Sequence, residues 1–109
     1  MQAARGERVS NYLTESTYRI IDVLRRIGDE IGATPATVAV AWVQARAGVA
    51  STIIGARTRD QLDQNLAAAD VMLTPDQVAA LDAVSEPVLP FPSNFLKTIA
   101  TSRRYQRLP

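Results

Sequence analysis

The feature that most constrains this 109-residue chain is one short segment, Ser51-Thr52-Ile53-Ile54-Gly55, rich in β-branched residues and bounded by glycines amid stretches that read as helix. It predicts a single buried strand. A buried strand with no ladder partner leaves amides and carbonyls unpaired, which native structures rarely tolerate. Its partners are therefore expected from further sequence, from another copy of the chain or from another subunit. A capped helix follows the segment directly, so the pair reads as half of a βα unit.

Composition favours helical surroundings. Hydrophobic residues make up 47% of the chain, but only 6% is aromatic and 17 residues are alanine, so the core is built from small aliphatic groups suited to helix packing. Cys and His are absent, which removes the usual zinc sites, thiol nucleophiles, disulfides and imidazole bases, and no metal site is expected. No stretch approaches the ~20 apolar residues of a membrane span and the first residues lack a signal-peptide core, so a cytoplasmic protein without a membrane partner is expected. The formal charge of +1 conceals a basic tail over 97–109, where Lys97, Arg103, Arg104 and Arg107 meet no acid. The remainder carries no basic excess, so nucleic acid is not an expected partner.

Residues 1–13 have no sustained period and read as an irregular lead-in. From about Thr14 to Ile31, the apolar residues Ile20, Leu24, Ile27 and Ile31 form one helical stripe, with Arg25, Arg26, Asp29 and Glu30 opposite and Gly32 as the stop. Thr34-Pro35 opens a second helix running to about Arg46, with Val38, Ala41, Trp42 and Ala45 inward and Gly48 closing it. Thr58 to Gln61 has capping-box spacing and opens a third, burying Leu62, Leu66 and Ala69. Thr74 to Gln77 repeats that signal for a fourth, with Val78, Leu81 and Val84 inward. The proline-rich stretch 85–94 predicts an extended connection, followed by a short helix over about Asn94–Ala100 and a frayed tail.

The chemistry concentrates between Gly55 and Asn65. Arg57, Gln61 and Asn65 lie four apart, and at about 100° per residue they form a polar line at one edge of the third helix, off the carboxyl end of the predicted strand. Gly55 removes a side chain where a ligand could approach, and the free amides opening the helix suit a phosphate. Arg57 could add a charged fork to that phosphate, and Gln61 with Asn65 could bond a heterocycle edge such as adenine. Each residue also has a plain structural reading: Gly55 as a turn, Arg57 as a solvated charge, Gln61 as half of a capping box and Asn65 as helix surface.

The string IIGARTRDQLDQNLAAADVMLTPDQVAALDAVS resembles the end of the aldo-keto reductases, NADPH-dependent (β/α)8 barrels whose relatives include potassium-channel β subunits. TPATVAVAWVQARAGVASTIIG is similar to that family's seventh helix and eighth strand, and LPFPSNFL to its closing segment, so the resemblance covers about Tyr18 to Leu96. It implies an α/β fold class: the C-terminal fragment of a (β/α)8 TIM barrel, mostly helical, with 51–55 as the eighth strand. Residues 14–96 then form the barrel part between the lead-in and the tail. It further implies NADP(H) as cofactor, with Gly55 and Arg57 at the phosphate-bearing ribose, Gln61 beside it, Asn65 on the adenine and Gln64 at the rim.

The family's catalytic Asp, Tyr, Lys and His lie on earlier strands and loops. Tyr12, Tyr18, Tyr105 and Lys97 fall outside the matching contexts, so no catalytic residue is expected in this chain. It is expected to be part of an aldehyde or ketone reductase, inactive alone, taking a small carbonyl substrate only in the complete barrel and self-associating when isolated. Two alternatives are a non-catalytic nucleotide-sensing module and a helical interaction module in which 51–55 is only a loop.

Overall fold

The computed structural model describes residues 10–87, 92, 93, 95 and 96. Most of the lead-in, much of the proline-rich connection, most of the expected helix over 94–100 and the basic tail lie outside them. The described elements are α1 (Glu15–Ile31), α2 (Pro35–Gln44), α3 (Arg59–Ala67), a 3-10 turn (Ala68–Asp70) and α4 (Pro75–Ser85).

Each α-helix begins where its threonine predicts. The side chains of Thr14, Thr34, Thr58 and Thr74 accept from the N–H three residues on, and proline opens α2 and α4. At the far end of α1, Gly32 takes the left-handed conformation (φ 71°), and Ala33 N–H donates to the Gly28 carbonyl at 2.9 Å, the 6→1 bond of a Schellman-type ending. Gly28 itself is buried in this crossing. A Cβ built there would lie 2.5 Å from the Ala33 carbonyl oxygen, so α1 and the α2 entry are this close only because residue 28 has no side chain.

The apolar stripe of α1 packs on both α2 and α4, and α2 carries α3 on another side. Ile27, Val38 and Leu81 are the fully buried centre, with Val23, Leu24, Ala33, Trp42 and Leu73 around them. Val78 and Val84 are half-buried beside Leu81, as the pattern of α4 predicts.

A second link between α2 and α4 is polar. Trp42 Nε1–H donates to Asp82 Oδ1 at 2.9 Å, and Arg46 donates to the same oxygen while its guanidinium lies 4.7 Å from the Trp42 ring centroid. The Arg46 hydrogen bond, then that of Trp42, holds the Asp82 carboxyl below the usual carboxylate range against the opposing effect of desolvation. A carboxyl whose pKa is depressed on folding stabilises the fold above its unfolded value near 3.8, and that contribution is lost as pH falls through the folded value. Thermal stability should therefore decline modestly as pH falls below about 4. The drop should be shallower in Asp82→Asn, and identical pH profiles for the two proteins would exclude this clip as a source of acid sensitivity.

Three expectations are corrected. Residues 51–55 form no strand: the segment has no regular secondary structure and no backbone–backbone hydrogen bond among the described residues, and Ile53 is 97% exposed. No second strand among the described residues offers a ladder, so the segment has no sheet to join. Leu62 and Leu66, expected inside, are 41% and 56% exposed, and Ala68 rather than Ala69 is buried, because α3 and the 3-10 turn rest on α2 alone and no other described element closes over the apolar face of α3. Ala45 is exposed because α2 ends at Gln44, with Ala45 as its C-cap.

Candidate functional site

The turn from Gly55 to Arg57 and the first turns of α3 bring together four of the five predicted site residues. Thr58 caps α3, its hydroxyl accepting the Gln61 N–H at 3.2 Å. In a complete capping box the Gln61 side chain would return to the Thr58 amide, as Gln77 does to Thr74 at 3.0 Å in α4. Here Gln61 Oε1 instead accepts from the Arg57 N–H at 2.9 Å. The difference follows the backbone: Thr58 is more extended (φ −128°) than Thr74 (φ −69°), and the preceding bend presents the Arg57 amide instead.

One helical turn on, Asn65 Nδ2 donates to the Gly55 carbonyl at 3.2 Å. Two side-chain amides of α3 therefore hold both ends of the Gly55-Ala56-Arg57 turn. A Cβ at Gly55 would meet nothing within 4 Å, so its backbone is open to approach. Arg57 is exposed, and the ion pairs among the described residues, Arg25–Asp22 and Arg46–Asp82, do not engage it.

Gln64 stands apart. It is exposed, and its fixed atom is the backbone carbonyl, which accepts the Thr37 hydroxyl at 2.8 Å. Beside the turn an open cleft of about 190 Å³ lies between α2 and α3, bordered by Val40, Gln44, Thr52, Ile54, Asn65 and Leu66. The Thr52 hydroxyl donates to Gln44 Oε1 at 2.6 Å and ties the segment 51–55 to α2.

Sequence reasoning grouped Arg57, Gln61 and Asn65 by their spacing but missed the direction in which Gln61 and Asn65 bond, which is inward to the turn. It also missed Thr37, although a signal existed: threonines three apart recur at Thr14/Thr17 and Thr34/Thr37, each at a helix start. Among the described residues no group of three acidic residues is placed to hold a metal ion, and no helix is long and apolar enough to cross a membrane.

A model of the aldo/keto reductase family matches residues 1–86, which include all five candidate residues. The chain is 30% identical over 84 residues to a putative aryl-alcohol dehydrogenase of Saccharomyces cerevisiae, covering 76% of this chain and 55% of that protein. It is 36% identical over 74 residues to a probable voltage-gated potassium channel subunit beta of Oryza sativa subsp. japonica, covering 66% of this chain and 23% of that one. To the protein tas of Escherichia coli it is 34% identical over 79 residues, covering 72% of this chain and 23% of the relative. The chain thus spans about half of the first relative and about a quarter of the other two.

Proposed function

This chain belongs to the aldo/keto reductase family, and from that premise we propose that it supplies the adenosine end of the cofactor site in a cytoplasmic, NADP(H)-dependent (β/α)8 enzyme that reduces aldehydes or ketones. The supporting observation is the pair of hydrogen bonds, Gln61 to the Arg57 amide and Asn65 to the Gly55 carbonyl, which fix the turn before α3 with Arg57 exposed. In this reading residues 51–55, which form no strand here, take the place of the eighth strand only in a complete barrel, where neighbouring strands would pair with them.

The residues suit a phosphorylated nucleoside. Gly55 leaves its backbone open, Arg57 has its guanidinium outside the ion pairs of the described residues, and Asn65 spends one amide hydrogen on Gly55 and has another, together with Oδ1, to offer. Gly55 and Arg57 are assigned to the phosphate-bearing ribose, with Gln61 beside it, Asn65 to the adenine and Gln64 to the rim. The cofactor, when bound, supplies the hydride. This chain's residues bind and orient its adenosine end, and none of them is assigned to proton transfer.

Calorimetric titration of the chain with NADPH and with NADH tests the reading. NADPH is expected to bind at least about tenfold more tightly, because only it carries the 2′-phosphate that Arg57 would pair with. Equal affinities, or no binding of either, would overturn the assignment. Reduction of aldehydes should stay at background, and turnover that depends on a residue of this chain would contradict this division of labour.

A further inference from the structure

Thr37 is the one buried polar residue among the described residues, 3% exposed, and it sits on a different element from the candidate site. Its hydroxyl hydrogen is committed: a carbonyl can only accept, so Thr37 donates to the Gln64 oxygen at 2.8 Å. The 2.9 Å contact between the Thr34 and Thr37 hydroxyls then has Thr34 as its donor, while Thr34 Oγ1 accepts the Thr37 N–H at 3.2 Å. The result is a one-way relay from Thr34 through Thr37 to α3.

Its receiving end lies where α3 changes character. An α-helix would close the Gln64 carbonyl with the N–H of Ala68, but that N–H goes to the Asn65 and Leu66 carbonyls as the chain tightens into the 3-10 turn. The Gln64 carbonyl thereby freed is the one Thr37 caps from α2. At the start of α1 the same pair of threonines acts locally, with Thr17 donating to the Tyr12 carbonyl in an exposed turn. Only the second pair reaches across 27 residues.

We propose that Thr37 is a positioning residue for the nucleotide turn: by capping Gln64 it sets the rotation and height of α3, and so the reach of neighbouring Asn65 to Gly55. The link to nucleotide affinity rests on the function proposed above, whereas the link to Asn65 does not.

Both are read on the full chain by labelled-amide NMR and by NADPH titration of Thr37→Val and Thr37→Ser. In Thr37→Val the Asn65 side-chain amide should lose its hydrogen-bonded shift and exchange protection, and NADPH should bind about fivefold more weakly. Thr37→Ser, which keeps the hydroxyl, should match the parent in both. An unchanged Asn65 amide in a folded Thr37→Val would overturn the proposal. So would its loss in Thr37→Ser, because the methyl and not the hydrogen bond would then be responsible, and this arm decides even if Thr37→Val does not fold. Should the parent bind no NADPH, the nucleotide reading falls and the Asn65 amide still decides the role of Thr37.

Discussion

Arg57→Ala should weaken NADPH by about ten- to a hundredfold while leaving NADH nearly unchanged, since charge-assisted hydrogen bonds of this kind contribute about 1.5–3 kcal/mol. The selectivity follows from chemistry, because only NADPH carries a dianion on its adenosine ribose. The structure sharpens the expectation: the Arg57 amide is held by Gln61 Oε1, so the substitution removes the guanidinium while the backbone stays tethered. Asn65→Ala should instead weaken both cofactors alike, through the adenine and through release of the Gly55 carbonyl. Gln61→Ala discriminates less, because it frees the Arg57 amide whether or not a ligand is bound. Equal loss of NADPH and NADH in Arg57→Ala would make the arginine a generic surface charge.

The isolated chain should self-associate, with a sedimentation coefficient that rises with concentration. Residues 51–56 have no regular secondary structure and make no backbone–backbone hydrogen bond among the described residues, which leaves their amides and carbonyls open to pairing with another chain. Ile53 and Met72 are 97% and 91% exposed, Leu62 and Leu66 lie open on α3, and burying one such side chain contributes about 1.5–3 kcal/mol. The stripe around Ile20, Leu24 and Trp42 is half-buried within the helical packing and is a weaker contact. Ile53→Lys should disperse the assembly without altering the helical circular dichroism. A monodisperse monomer that melts cooperatively would count against the whole expectation.

What could be read in advance divides along a physical line. Helix starts were legible because capping is local: the Thr34 and Thr74 side chains meet amides three residues away, whatever the rest of the molecule does. The state of residues 51–55 was not, because a strand exists only with its neighbour, and β-branched composition reports a preference without supplying one. The same holds for α3, where the spacing of Leu62 and Leu66 marks an apolar face but says nothing about what lies against it. At the candidate site, spacing placed Arg57, Gln61 and Asn65 along one edge, and the structure has all three beside the Gly55–Arg57 turn. Spacing could not reveal that two of them turn inward to the Gly55–Arg57 backbone, since that depends on how the chain bends before Thr58.

Gly28 gives the turn a distant dependency. Any side chain there would displace the Ala33 carbonyl, and the residue after Ala33 is Thr34, the first donor of the relay that ends on Gln64. For anyone diversifying this scaffold, position 28 is therefore closed to mutation on two counts, one for the helix crossing and one for whatever the far end of that relay holds in register.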